Sequence, residues 1–127
     1  FDGDSFVVLN TERGLDGKPS HTAHAWMGVH TTEDESASAI AKLAKLDAML
    51  GGNVVMRRQV QDHETADFKQ LFYPALMVLN GGIDSALEGH EAKDGEEVAH
   101  RLLWLRGKGR GIGVRQAPML PAASLNR

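Results

Sequence analysis

The chain has 127 residues, of which 42% are hydrophobic and 24% are charged, which fits one ordinary globular domain and not a disordered segment. Lys and Arg number 14 against 17 Asp and Glu, and this net charge of −3 argues against nucleic acid as a partner, since nucleic-acid binding calls for a basic surface. There is no cysteine, which excludes disulfides, cysteine-bound zinc and thiol catalysis, and no apolar run reaches the roughly 20 residues of a membrane-spanning helix.

Predicted strands and helices alternate along the chain. Two β-prone runs, at 6–9 and 21–29, are predicted to form a hairpin around a loop at 10–20 that contains Gly and Pro. A long helix is predicted at 31–50. The remaining elements are a strand at 53–61, a short helix at 64–72, a fully apolar and therefore central strand at 75–79, a polar loop at 80–97, and strands at 99–106 and 113–116. Strands interleaved with two helices predict a sheet with helices on its faces.

The long helix carries the clearest signals. Thr32 and Glu35 form the Thr-x-x-Glu pattern of a capping box at its start, and Gly51-Gly52 predicts its end. Its buried face is predicted from apolar residues at helical spacing, namely Ile40, Leu43, Leu46 and Leu50.

A second stripe on the same helix consists of alanines at spacings of four, three and four: Ala37, Ala41, Ala44 and Ala48. A row of small side chains lets another surface lie close, which indicates a docking face for a partner. The alternative is that these positions are filler, because alanine is the best helix former. From these residues alone both interpretations stay open.

Three carboxylates, those of Asp4, Glu35 and Asp47, lie near turns or helix ends and close to Gly-containing backbone. Calcium takes oxygen ligands, including backbone carbonyls, so these residues are candidate ligands. The alternative is a helix cap for Glu35 and solvated charges for the other two.

The sequence gives little evidence for phosphate binding, zinc binding or catalysis. Segment 106–113 alternates cationic residues with Gly, but no helix follows that could take a phosphate, so a flexible hairpin tip is predicted there. The six histidines lack ligand spacing, and no pair of nucleophile and base is apparent. Neither a zinc site nor an enzyme is predicted.

Seven segments form a recognisable set: FDGDSFVVL at 1–9, AWMG at 25–28, EDESASAI at 33–40, LDAMLGGNVVMRRQVQ at 46–61, HE at 63–64, LNGGI at 79–83 and RLLWLRGKGR at 101–110. Together they resemble the gelsolin, villin and severin family. The similarity covers nearly the whole chain in order and is greatest to the first repeat of such proteins. It implies a gelsolin-like domain at 1–117, from which the family's first strand is missing, and a linker to a following repeat at 118–127.

The resemblance implies an α/β (α+β) fold in which a central mixed β-sheet is sandwiched between one long and one short helix. It also implies a non-enzymatic, calcium-dependent actin-binding module of a cytoplasmic, cytoskeletal protein that caps or severs filaments. The long helix would dock in the cleft between two actin subdomains, on monomers and at filament ends. The residues that would face actin are Asp34, Ala37, Ala41, Ala44, Lys45, Ala48 and Leu87.

Two of these positions depart from the family pattern. Ala41 stands where the family has a bulky residue, and Leu87 stands where it usually has a larger aromatic one. Both changes would weaken actin binding. They support an alternative function, which is a calcium-stabilised structural repeat with weak or no actin binding.

Two calcium sites are also implied by the resemblance. The internal site would use the carbonyls of Gly3 and Ile83, the carboxylate of Asp4 and both carboxylate oxygens of Glu35. These groups supply about five oxygens, which is near the six to eight that calcium prefers once water joins.

The second calcium site would be shared with actin. Asp47 would supply its carboxylate, and Gly52 and Val54 would supply carbonyls. A single carboxylate makes a weak calcium site, so a carboxylate of actin would complete it, and calcium and actin would bind cooperatively.

The family also has two basic stretches that are linked to phosphoinositides. The first is not retained, because residues 74–80 contain no Lys or Arg. The second is retained as Arg101, Arg106, Lys108 and Arg110. Binding to anionic lipid headgroups is therefore a weaker implication than the binding of actin or calcium.

Overall fold

The computed structural model describes residues 1–82 and 102–118, so Ile83, Leu87 and Arg101 lie outside the described residues, as do most of the predicted loop at 80–97 and of the linker. The described strands are β1 Ser5–Arg13, β2 Pro19–Met27, β3 Val55–Val60, β4 Leu76–Val78, β5 Leu103–Arg106 and β6 Gly113–Gln116. The helices are α1 Glu33–Met49 and α2 Ala66–Gln70, with a short 3₁₀ turn at Gly109–Gly111.

These strands divide into two three-stranded sheets, each of which is mixed. In the first sheet β1 pairs antiparallel with β2, and β2 pairs parallel with β3. In the second sheet β4 pairs parallel with β6, and β6 pairs antiparallel with β5. The predicted α+β fold with mixed strand pairing is confirmed, and its strands are shared between two sheets.

The middle strand of the first sheet, β2, is buried from Ala23 to Met27. The prediction that the strand at 75–79 is central is wrong, because β4 lies at an edge of the second sheet and Met77 is 53% exposed. A short edge strand can also be apolar throughout when other elements of the fold pack against it. Strand order depends on pairing partners that are distant in sequence, and local hydropathy does not record them.

The predicted hairpin of β1 and β2 is confirmed, and it is longer than predicted. Its register runs from Ser5 opposite Met27 to Arg13 opposite Pro19, so residues 10–13 are strand and not loop. Residues 11–13 are exposed, and a ribbon that extends beyond the core needs backbone pairing but no apolar pattern.

The two helices cover opposite faces of the first sheet, because successive side chains on β2 alternate between its faces. Ala25 belongs to a core with Ala39 and Leu43 of α1. Trp26 belongs to a second core with Phe68 of α2. The predicted position of the sheet between a long and a short helix is confirmed for these strands.

The start of α1 is as predicted, but its buried face is not. The capping box is present: the Glu35 N–H donates to Thr32 Oγ1 at 3.2 Å, and the Thr32 N–H donates to Glu35 Oε2 at 2.8 Å. Ile40 is 49% exposed, whereas Ala39 is 4% exposed, so Ile40 was wrongly predicted to be buried. The stripe that packs on the sheet has the regular spacing four, three, four, and it consists of Ala39, Leu43, Leu46 and Leu50.

The segment before β1 ties the two sheets together. The Asp2 N–H donates to the Leu79 carbonyl at 2.9 Å, and the Gly3 N–H donates to the Gly81 carbonyl at 2.8 Å. Gly28 packs tightly beneath this segment, since a Cβ on Gly28 would lie 2.2 Å from the Asp2 carbonyl oxygen. These bonds bring residues 2–4 beside residues 79–82.

Candidate functional site

The outer face of α1 is exposed along its length. The residues assigned to actin on this helix lie opposite the buried Ala39 and Leu43, given 3.6 residues per turn, and all of them are exposed. Ile40 and Met49 border this face and are 49% and 73% exposed. The outer face of α1 is defined here by six residues: Asp34, Ala37, Ala41, Ala44, Lys45 and Ala48.

A cavity of about 410 Å³ lies between the start of β1 and the first half of α1, and it joins two of the predicted internal calcium ligands. Asp4 and Glu35 both line this cavity, and the cationic Lys42 lines it too. Gly82 lies next to Asp4, since a Cβ on Gly82 would be 3.1 Å from Asp4 Oδ1. Carboxylates are ligands that a hard cation such as calcium prefers, and the cationic Lys42 would compete with a cation for them.

Glu35 is also the capping residue of α1. Its Oε2 accepts hydrogen bonds from the hydroxyls of Thr31 and Thr32, both at 3.0 Å, besides the Thr32 N–H. The backbone bond from Thr32, followed by the two hydroxyl bonds, lowers the pKa of the Glu35 carboxyl. The side chain therefore stays ionised to lower pH than an ordinary glutamate.

The three residues that are predicted to hold the shared calcium lie together at the end of α1, where the N–H groups of Gly52 and Val54 bond to Asp47. Asp47 Oδ1 accepts the Val54 N–H at 2.9 Å, and the Asp47 carbonyl accepts the Gly52 N–H at 2.9 Å. Gly51 and Gly52 have φ of +92° and +74°, which glycine adopts without strain. The loop thus folds back on Asp47 at the helix C-terminus, where the backbone dipole favours a cation.

Within residues 1–82 and 102–118, no group of three or more His, Cys, Asp or Glu side chains is arranged to hold a metal ion. Both predicted calcium sites accordingly depend on backbone carbonyls. In the same part of the chain, no helix is long and apolar enough to cross a membrane.

The predicted lipid-binding residues Arg106 and Lys108 are exposed at the end of β5, where the chain turns towards β6. Sequence reasoning missed their neighbours Trp104 and Leu105, which are 65% and 72% exposed. The sequence signal for this exposed apolar surface is a large aromatic residue, Trp104, in a strand that ends in cationic residues. The side chain of Arg110 lies outside the described residues, as Arg101 does.

No protein-family model matches the sequence. Villin-3 of Oryza sativa subsp. japonica is 39% identical over 99% of this chain and 13% of its own length. Villin-4 of Arabidopsis thaliana is 39% identical over 99% of this chain, and gelsolin of Drosophila melanogaster is 37% identical over 99% of it. The chain belongs to the villin and gelsolin family.

This member of the family spans 13% and 15% of the lengths of the rice villin-3 and the Drosophila gelsolin. Among solved structures, a chain of the Thorarchaeota 2DGel3/rabbit actin complex superposes with a TM-score of 0.48 at 19% identity, over 91% of this chain and 52% of that one. The family resemblance drawn from the motifs is confirmed. The roles of the individual residues remain predictions.

Proposed function

We propose that this villin/gelsolin-family domain is a non-enzymatic actin-binding module whose outer face of α1 lies in the cleft between two actin subdomains. The observation that carries the proposal is the division of α1 into two faces. Ala39 and Leu43 are buried on one side, whereas Ala41 and Ala44 are exposed on the other. A helix of 17 residues is about 25 Å long, which is enough to fill a groove between two subdomains.

We propose that calcium controls this module at the internal site. The carboxylates of Asp4 and Glu35 line one cavity, and the carbonyl of Gly3 belongs to the same segment. Ile83, whose carbonyl would complete the set, lies outside the described residues; it follows Gly82 in the sequence, and Gly82 lies next to Asp4. Calcium bound here would fasten the start of β1 to the start of α1 and so fix the helix that meets actin.

The proposed second site gives calcium and actin a direct coupling. Gly52 and Val54 lie in the loop that folds back on Asp47 in the last turn of α1, and Asp47 is the carboxylate among them. A carboxylate of actin would raise the affinity of this site for calcium, and by thermodynamic linkage calcium would raise the affinity for actin.

The proposed cellular role is capping or severing of actin filaments in the cytoplasm, with phosphoinositides as a further ligand of the basic residues 101–110. Trp104 and Leu105 support a lipid-facing role, because exposed apolar side chains beside Arg106 and Lys108 suit a headgroup boundary. Severing would need cooperating repeats, so this domain alone is expected to bind monomers and cap filaments more than it severs them.

One observation favours a second candidate function. Ala41 is exposed near the middle of the outer face of α1 and offers only a methyl group there. A face without a large anchor side chain has few contacts that could dominate binding. The alternative is therefore a calcium-stabilised structural repeat with weak or no actin binding.

Gel filtration with monomeric actin in calcium tests these two functions. The proposed function predicts that the chain co-elutes with actin as a 1:1 complex. A chain that calcium stabilises against heat, but that elutes apart from actin at micromolar concentrations, would instead establish the structural repeat.

A further inference from the structure

His24 lies in the middle of β2 on the face that α2 covers, and it is 2% exposed. Its ring packs against Phe68 of α2, with 5.0 Å between the ring centroids. Nδ1 of His24 lies 3.1 Å from Nε2 of Gln59, which is on the neighbouring strand β3 and is 1% exposed. A buried imidazole and a buried amide therefore meet under the short helix.

The hydrogen bonds fix the orientation of the Gln59 amide. The Thr65 backbone N–H can only donate, so the Gln59 atom 3.0 Å away from it is the carbonyl Oε1. The amide nitrogen of Gln59 then donates to Nδ1 of His24 and to Thr65 Oγ1, at 3.1 and 3.2 Å. Since Nδ1 accepts a hydrogen bond, the imidazole is neutral and carries its proton on Nε2.

This chain of bonds ends at the start of α2. Thr65 is the N-cap of the helix, and its hydroxyl accepts the Phe68 N–H at 3.4 Å. A proton on Nδ1 of His24 would point at the amide hydrogens of Gln59. If Gln59 flipped to accept that proton, its amide nitrogen would instead face the Thr65 N–H. Protonation thus costs the buried bond between His24 and Gln59 in the first arrangement and the partly buried bond from the Thr65 N–H in the second.

The surroundings of His24 also disfavour its charged form. Burial and, to a lesser degree, Arg57 of β3 lower the pKa of His24, against a smaller opposing effect of Asp67 of α2. On β1 the residue opposite His24 is the uncharged Val8. A lowered pKa means that the unfolded chain takes up a proton near pH 6.5 while the folded chain does not, so stability falls as pH drops below that value.

We infer that His24, Gln59 and Thr65 form a proton-sensitive latch that fastens α2 to the sheet, and that mild acid releases α2 before α1. The inference is independent of actin and calcium, because none of the three residues is among the proposed ligands. It predicts a local response, in which the N-terminal turn of α2 loosens while the capped α1 and the paired β1 and β2 persist.

Amide hydrogen exchange on the intact chain at pH 7.5 and pH 5.5, corrected for intrinsic exchange rates, tests the latch. The protection of residues 66–71 relative to residues 36–49 is expected to fall at the lower pH, by at most about tenfold for one histidine whose unfolded pKa is 6.5. In His24→Asn the amide oxygen takes the place of Nδ1 and accepts the same bond without titrating, so this relative loss should disappear. His63→Asn, which removes an exposed histidine near α2, should behave as the parent chain does.

The inference would be overturned if acid lowered the exchange protection of α1 and α2 equally. It would also be overturned if His24→Asn showed the same relative loss of protection in α2 as the unmutated chain. If His24→Asn does not fold, the ¹⁵N shifts of the His24 ring in the parent chain decide the matter. An unprotonated Nδ1 at pH 7.5 supports the inference, and a protonated Nδ1 contradicts it.

Discussion

Replacing Ala44 by glutamate is expected to weaken the affinity for monomeric actin by roughly 150-fold, or about 3 kcal/mol. Ala44 is exposed on the outer face of α1, so the new side chain meets solvent in the free domain. In the proposed complex the same carboxylate would be buried against actin without a partner, which is the costly situation for a charge. Calorimetry in calcium measures the change.

Ala66→Glu is the matched control, because Ala66 is an exposed alanine in the other helix, α2. Glutamate is a good helix former, so both variants should keep the circular dichroism of the parent chain. Equal affinities of Ala44→Glu and the parent chain would show that the outer face of α1 does not touch actin. A similar loss in Ala66→Glu would show that the effect is not specific to this face.

Calcium in excess is expected to raise the unfolding temperature of the chain, and Glu35→Gln is expected to abolish that rise. A ligand at 100 times its Kd stabilises a protein by about 2.7 kcal/mol, which is about 10 °C for a domain of this size. Glutamine also fills the Glu position of a capping box, so the helix cap should survive the change. What is lost is the charge that the ion requires.

Scanning calorimetry with calcium and with chelator measures this effect without actin. Asp34→Asn is a matched control, because Asp34 precedes Glu35, lines the same cavity and is not a proposed ligand of the internal site. It should retain the calcium-induced rise. A rise that persists in full in Glu35→Gln would remove Glu35 from the internal site.

The local features of α1 could be predicted because they depend on residues within one or two turns. The capping box joins Thr32 to Glu35, three residues apart, and the structure has both of its hydrogen bonds. The error at Ile40 came from the same kind of reasoning. Spacings of three and of four are both helical, and only the packing of the small Ala39 in a core with Ala23 and Ala25 decides between them.

The non-local features could not be predicted in the same way. The middle position of β2 depends on β3, which pairs with it from about 33 residues further along the chain. Asp4 and Glu35 line one cavity because α1 packs against β1, and their proximity is implied by the family resemblance and not by their spacing in the sequence. The latch at Gln59 was not predicted, because a lone glutamine in a strand carries no sequence signal.

Calcium is expected to strengthen the binding of actin to the outer face of α1. Calorimetric titration of the chain into monomeric actin, once in calcium and once in chelator, measures this coupling. The affinity should be roughly tenfold or more higher in calcium, and Asp47→Asn should lose much of this difference. Binding of equal strength in both buffers would contradict the claim that calcium controls the module.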